Sequence, residues 1–186
     1  MSPVKPTKED LNDAVNRTVP DLIAPDLKVL FCGINPGLYS GATGLHFARP
    51  GNRFWPVLHR SGFTPRQLDP SEENELLKYG CGITCFVDRT TARADELSRA
   101  EFAEGGRRLV EKIHSYKPRV LAVLGIGAYK SAFNKKSAAV GLQDETIGDT
   151  RVWLLPNPSG LNANYQLPQL VQLFERLRHA VEGISV

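Results

Sequence analysis

Short apolar runs alternate along this chain with stretches in which apolar residues recur at helical spacing. The short runs are predicted to be buried strands, and they lie at 28–32, 81–87, 119–125 and 151–156. A helical pattern separates or follows each of them. This alternation indicates βαβ units, and it predicts an α/β fold in which a parallel sheet carries helices on both faces.

Capping patterns mark where several of the helices begin. A Ser or Thr followed three residues later by an acidic residue forms a capping box, as in Thr7–Asp10 and Ser98–Glu101. Further helices are predicted at 53–63, 71–79, 126–133 and 167–181, the second of them capped by Ser71 and closed by Gly80. We expect Gly105 and Gly106 to be a weak point in the helix that follows Ser98.

Composition and charge narrow the classes of protein. The chain has 186 residues, 41% of them hydrophobic, which suffices for one buried core. Its net charge of +3 and pI of about 8.8 permit a polyanionic partner without requiring one. Basic residues gather at 105–119 and 129–136. They are either a solvated helix face or a footprint for a phosphate backbone.

The three cysteines do not suggest a disulfide framework. Cys81 and Cys85 have too few neighbouring ligands for a zinc or iron–sulfur site, so with Cys32 they are interpreted as small buried strand residues. We expect no signal peptide and no membrane-spanning segment, since no apolar run is long enough. A reducing, cytoplasmic location is therefore predicted.

Two Asn-Pro turns follow predicted strands. "GINPG" (33–37) follows the first strand and "NPSGL" (157–161) follows the last. Ligands of open parallel sheets bind at the carboxyl ends of the strands, so both turns are expected on one rim. A held asparagine, free backbone amides and an aromatic such as Phe47 suit a flat polar heterocycle. By itself "NPG" is also typical of an ordinary turn.

The familiar catalytic and nucleotide-binding motifs are missing. The chain has no G-x-x-x-x-G-K-[ST], and "GIGAYK" at 125–130 fails the dinucleotide pattern at its last position. The four histidines lack metal-ligand spacing, so no metal is predicted.

Three strings taken together carry a specific resemblance. "GINPG" at 33–37, "GNRFW" at 51–55 and "LPNPSGL" at 155–161 resemble the mismatch-specific uracil-DNA glycosylases. These enzymes lie in the thymine-DNA glycosylase branch of the uracil-DNA glycosylase superfamily. The resemblance runs from about Asp21 to Leu177. It implies a three-layer α/β/α fold around a central, mostly parallel four-stranded sheet.

The resemblance also implies an organisation and an activity. Residues 1–20 are expected to be an N-terminal extension, either a tail that touches DNA or a spacer, and 21–186 a single glycosylase domain. The expected reaction is hydrolytic excision of uracil, or a related pyrimidine opposite guanine, from double-stranded DNA by a monomer without cofactors. The motifs contain no lysine for a Schiff-base step, which implies a monofunctional enzyme.

Roles for individual residues follow from the same resemblance. Asn35 would position the water that attacks C1′ of the deoxyribose, and Phe47 would stack on the flipped base. The base edge would meet Ile34, Gly37 and Ser40, together with backbone amides of their loop. The wedge entering the duplex would be Asn157, Pro158, Ser159, Gly160 and Leu161, with Gly160 and Leu161 at its tip.

The chemistry assigned to Asn35 has a limit. A carboxamide cannot take a proton, so Asn35 can orient water but cannot act as a general base. The enzyme should therefore be slow and favour bases that flip or leave easily. We hypothesise that Asp95, in "DRTTARADELS", supplements Asn35; the alternative is a surface carboxylate just before a helix.

Some positions depart from the pattern of the resembled family. Ala163 stands where a bacterial relative has arginine, His46 where proline is found and Tyr39 where serine is found. Two other functions stay open, a mismatch-sensing DNA-binding module with little catalysis and a small-molecule enzyme on a similar sheet. The ranking of uracil, thymine, ethenocytosine and 5-substituted uracils depends on the shape of the pocket.

Overall fold

The computed structural model describes residues 5–183 of the chain. Their sheet contains five strands, in the order β2-β1-β3-β5-β4. The strands are β1 (Val29–Gly33), β2 (Cys81–Cys85), β3 (Val120–Leu124), β4 (Gly141–Ile147) and β5 (Thr150–Leu155). Four run parallel, and β4 pairs antiparallel with β5 at the edge. The predicted mostly parallel α/β sheet is confirmed, with five strands rather than four.

Helices cover both faces of the sheet. They are α1 (Lys8–Asp13), α2 (Leu38–Thr43), α3 (Phe54–Arg60), α4 (Arg99–Tyr116), α5 (Ile126–Ala132) and α6 (Leu167–Glu182), with 3₁₀ segments at Pro70–Tyr79 and Ala94–Glu96. The strand side chains alternate between two cores. Val29 and Phe31 face the core that includes α3 and α6, whereas Leu30 and Cys32 face the core that includes α4. The three-layer arrangement predicted from the sequence is confirmed.

The capping predictions are confirmed at two of three sites. Thr7 and Ser98 cap α1 and α4, each in a reciprocal capping box with an acidic residue. The prediction of Ser71 as a cap was wrong, because the carboxylate of Asp69 accepts from the backbone N–H of Ser71 at 3.0 Å. Gly80 ends that segment in a left-handed conformation, as expected.

The two glycines inside α4 allow close packing rather than interrupting the helix. A Cβ on Gly105 would collide with the backbone oxygen of Phe86. One on Gly106 would lie 2.7 Å from the backbone oxygen of Ala132. Both positions are buried, and α4 continues through them. The expected weak point is therefore a contact between α4 and its two neighbouring segments.

The N-terminal segment is packed against the rest of the molecule. The backbone N–H of Asn16 donates to the oxygen of Thr90 at 3.1 Å, and Thr90 N–H donates to Arg17 at 2.8 Å. Ala14 is fully buried. The predicted domain boundary at residue 20 stays a prediction. Within residues 5–183, none of the helices combines the length and apolar character needed to cross a membrane.

Candidate functional site

A cavity of about 630 Å³ lies at the carboxyl ends of the parallel strands. Both Asn-Pro loops contribute to its wall, through Asn35 after β1 and Asn157 after β5. Leu124 at the end of β3 and Cys85 at the end of β2 complete the wall from the sheet. The expectation that the two loops share one rim is confirmed. This is where ligands of open parallel sheets bind.

The side chain of Asn35 is held by one end only. Its Nδ2 donates to the backbone oxygens of Pro36 at 3.2 Å and Arg89 at 3.0 Å, and to Oγ1 of Thr91 at 2.8 Å. Two of these acceptors are carbonyl oxygens, which cannot donate, so the nitrogen must be the atom that faces them. Among the described residues, no group donates to Oδ1. That oxygen is therefore available to a water or a ligand.

The loop after β2 supplies these acceptors, and it is fastened to the first Asn-Pro loop. Phe86 N–H donates to Gly33 at 3.0 Å, Val87 N–H to Ile34 at 3.1 Å and Thr91 N–H to Pro36 at 3.3 Å. The two loops therefore form one unit around Asn35.

An ion pair holds the same loop to α4. Nε of Arg89 donates to Oε1 of Glu101 at 2.5 Å. This hydrogen bond, together with one from the backbone of Ser98, lowers the pKa of Glu101 to about 2. The backbone oxygen of Arg89 is thereby set where it meets Nδ2 of Asn35.

Phe47 lines the cavity beside Asn35, and its ring rests on the aromatic core. Its ring lies 4.1 Å from that of Phe54 at an interplanar angle of 25°, and Phe54 in turn meets Phe31 edge-on at 5.5 Å. One face of Phe47 is covered by this stack, so only the other can meet a ligand. Its φ of +52° is uncommon for a bulky residue.

His46 next to Phe47 is buried and paired with a carboxylate. Its Nδ1 lies 3.0 Å from Oε2 of Glu73, which also accepts the backbone N–H of His46 at 2.8 Å. The backbone oxygen of His46 accepts from the indole N–H of Trp55 at 3.1 Å. These contacts fix the segment that carries Phe47.

The residues expected at the base edge also line the cavity. Ile34 packs against Gly125, and Oγ of the buried Ser40 accepts from the backbone N–H of Ala48 at 3.4 Å. Gly37 precedes α2 and has open space around it. In the described part of the chain, no acceptor meets the backbone N–H groups of Leu38, Tyr39 or Ser40. They remain free to bind an electron-rich ligand edge.

The predicted wedge is a tight loop with an apolar tip. Oδ1 of Asn157 accepts from the backbone N–H of Ser159 at 2.9 Å, which makes a local Asx turn. Nδ2 of Asn162 donates to the oxygen of Asn157 at 3.0 Å. Pro158 is buried, whereas Gly160 is exposed and Leu161 is 73% exposed. Leu161 also lines the cavity, so the apolar tip of the loop lies at the cavity mouth.

Asp95 lies at the mouth of the cavity and is exposed. Its Oδ1 accepts from Nε of Arg93 at 3.0 Å, and its side chain is 66% accessible. The catalytic role predicted for Asp95 stays a prediction. Ala163 is exposed in the wedge loop.

The cysteines have the structural character expected of them. All three are free, with Cys32 and Cys81 buried and Cys85 half-buried in the cavity wall. Burial raises the pKa of the Cys85 thiol to about 12, so it stays protonated. Within residues 5–183, no cluster of His, Cys, Asp or Glu side chains is arranged to hold a metal ion.

Three residues of the site were not singled out from the sequence. Thr91 holds Asn35, Glu73 holds His46, and Arg53 contacts the wedge loop. The first two lie 56 and 27 residues from their partners, and no local pattern links such pairs. Arg53 had a signal, because it lies within the "GNRFW" string.

Comparison with known families agrees with this geometry. A family model described as "Uracil DNA glycosylase superfamily" matches residues 20–180.

Proposed function

Because the chain belongs to the uracil DNA glycosylase superfamily, we propose that it excises uracil opposite guanine from double-stranded DNA. Membership of the superfamily supports a DNA N-glycosylase activity of the uracil type. The preference for a G·U pair, the mismatch-specific branch and the single hydrolytic step are part of the proposal. The observation that carries it is the held carboxamide of Asn35, with Oδ1 free in a cavity walled by Phe47.

The geometry supports Asn35 as the residue that positions water. Its Nδ2 is occupied by Arg89 and Thr91, so the side chain cannot turn without losing these bonds. Oδ1 can therefore accept a hydrogen bond from a water and aim that water at C1′. Since a carboxamide does not take the proton, its contribution is orientation rather than general-base catalysis.

The rate must then depend largely on how readily the base departs as a leaving group. Cleavage of the glycosidic bond leaves negative charge on the pyrimidine, and hydrogen-bond donors stabilise such charge. The free N–H groups of Leu38, Tyr39 and Ser40 are suitable donors. The ring of Phe47 lines the cavity, and its face opposite Phe54 is suitable for stacking on the base, which would hold the base out of the duplex.

The wedge supports action on a duplex. Leu161 is apolar and exposed beside the cavity, where it can fill the space left by a flipped nucleotide. Filling that gap offsets part of the few kcal/mol that unstacking costs. A G·U pair is flipped more easily than a matched pair, which favours it as the target.

The test is single-turnover release of uracil from a duplex with one G·U pair, beside the same strand alone. We expect release from the duplex by the wild type, and a fall of about 100-fold or more in Asn35→Ala. Unimpaired release by Asn35→Ala would contradict the assignment of Asn35. Tight duplex binding with no release would favour a mismatch-sensing module instead.

The variant Asp95→Asn in the same assay tests the second catalytic candidate. The carboxylate is exposed and paired with Arg93, which favours a surface role and a rate within about twofold of the wild type. A clear loss of rate would establish that Asp95 supplements Asn35.

A further inference from the structure

Arg53 contacts the wedge loop more extensively than any role in helix capping requires. Its guanidinium donates to four backbone oxygens of the loop between β5 and α6. They are those of Pro158 at 3.2 Å, Ser159 at 2.5 Å, Asn162 at 3.0 Å and Tyr165 at 2.5 Å. The backbone N–H of Arg53 also donates to Pro158 at 3.1 Å. One side chain therefore holds most of the turn that carries Leu161.

This contact uses the particular shape of the arginine. A guanidinium has five N–H donors in a fixed plane, and four carbonyl oxygens take up four of them. Among the described residues, Arg53 takes part in no ion pair, so its charge is not neutralised by a carboxylate. The segment before it is equally close to the loop, since a Cβ on Gly160 would lie 2.6 Å from the oxygen of Gly51.

The next residue supports the other functional part of the cavity. Phe54 is fully buried, and its ring is the one on which Phe47 stacks at 4.1 Å. Its backbone N–H is fixed by Oδ1 of Asn52 at 2.9 Å. Two consecutive residues at the start of α3 therefore hold the wedge loop on one side and the stacking ring on the other.

We propose that Arg53 is a positioning residue that holds the wedge loop at a fixed position relative to the stacked rings of Phe47 and Phe54. Leu161 then enters the duplex at the distance from Phe47 that lets Phe47 receive the flipped base. This inference rests on the proposed function of Leu161 and Phe47. It predicts that loss of the guanidinium slows a reaction that needs the wedge and has little effect on a reaction that does not need it. A single-stranded substrate has no stack to fill, so it provides the comparison.

The experiment compares Arg53→Met, Arg53→Lys, Leu161→Ala and the double variant R53M/L161A. Uracil release is measured on a G·U duplex and on the single strand. For Arg53→Met we expect a ten- to hundredfold fall on the duplex and about threefold or less on the single strand. Arg53→Lys keeps the charge but has three N–H donors instead of five, so its rate on the duplex should lie between those of the wild type and Arg53→Met.

Coupling with the wedge is the readout that a merely structural role would not give. If Arg53 acts through Leu161, R53M/L161A should be within about twofold of Leu161→Ala alone on the duplex. Multiplied losses, or equal losses on duplex and single strand, would overturn the proposal. The matched control is Arg60→Met, which removes the same charge from the exposed end of α3 and should retain the wild-type rates.

A second readout does not depend on base release. A duplex with a tetrahydrofuran abasic analogue opposite guanine carries 2-aminopurine as the neighbouring base, whose fluorescence rises when a wedge disturbs the stack. We expect the wild type and Arg60→Met to raise it and Arg53→Met to lose most of the rise.

The two readouts separate the two proposals. An Arg53-dependent signal without uracil release would refute the proposed function and leave this inference standing. A signal unaffected by Arg53→Met would overturn the inference even if uracil is released. A wild type that neither releases uracil nor raises the fluorescence would overturn both.

Discussion

The two Asn-Pro loops have the same dipeptide after a buried strand and use it in opposite ways. Asn35 donates through Nδ2 to a different part of the chain and keeps Oδ1 free in the cavity. Asn157 uses Oδ1 within its own loop, to accept from Ser159. Asn35 therefore offers a free oxygen to a ligand, whereas Asn157 stabilises the conformation of its own loop.

The difference originates in the neighbouring segments rather than in the dipeptide. Residues 86–91 donate backbone N–H groups to the main chain of the first loop, and the backbone oxygen of Arg89, which can only accept, faces the side chain of Asn35. The second lies against Arg53, which donates to its backbone oxygens and leaves the asparagine to form an Asx turn. The same two residues become a candidate reactive site or a support depending on whether the partner accepts or donates.

Exchange of each asparagine for aspartate should separate the two loops most strongly. Asn35→Asp would place a carboxylate oxygen against the oxygens of Pro36 and Arg89, with no proton to share. We expect a loss of about 1–3 kcal/mol in the free energy of unfolding. Asn157→Asp keeps the oxygen that accepts from Ser159, so a change within about 0.5 kcal/mol is expected.

Chemical denaturation of the two variants measures this difference. The substitution is identical in both and removes one amide in favour of one negative charge, so each variant serves as the control for the other. Equal destabilisation, or a larger effect at Asn157, would show that the donor and acceptor roles assigned here are wrong.

Thr91→Val tests how much of the site depends on the orientation of Asn35. It removes the Oγ1 that accepts from Nδ2 at 2.8 Å while keeping the volume of a buried side chain. We expect uracil release from the duplex to fall about tenfold as the carboxamide gains freedom.

Thr150→Val is the matched control for this variant. Thr150 is equally buried, and its Oγ1 donates to the backbone oxygen of Pro118 at 2.6 Å, at the far end of the sheet. It should lose stability without a loss of rate. If Thr150→Val slows release as much as Thr91→Val does, the orientation argument fails.

Much of the fold follows from the sequence because the buried strands and capped helices have local signals. The apolar runs at β1 and β3 and the capping box at Ser98 each need only a few neighbouring residues. The edge strand β4 was missed, because "GLQDETI" is mostly exposed and polar. Its hydrogen bonds to β5 stabilise a strand that the sequence of β4 alone does not predict.

The residues of the site could be predicted where they lie within one sequence motif. They could not be predicted where they act through contacts with residues far away in the sequence. Asn35 and Leu161 lie in recognisable motifs, and their positions on one rim follow from the strand order. The partners Thr91 and Glu73 carry no such signal. Their importance comes from hydrogen bonds across the fold, which depend on tertiary packing rather than on local sequence.

Acid stability gives the smallest expected effect, and it concerns the loop that holds Asn35. Arg89 lowers the pKa of Glu101 to about 2, below its ordinary value, so the pair stabilises the fold when the carboxylate is charged. That contribution is complete above about pH 4.5 and is lost as the pH falls toward 2. Arg89→Met should therefore be less stable than the wild type at neutral pH and converge with it near pH 2.

Arg66→Met gives the same pH effect away from the site, since Arg66 likewise lowers the pKa of Glu72 to about 2. Denaturation between pH 2 and 7 should give both variants a flatter dependence than the wild type. Only Arg89→Met should also slow uracil release, by a few-fold, because the backbone oxygen of Arg89 binds Asn35. Equal rates in the two variants would mean that the ion pair stabilises the loop without positioning Asn35.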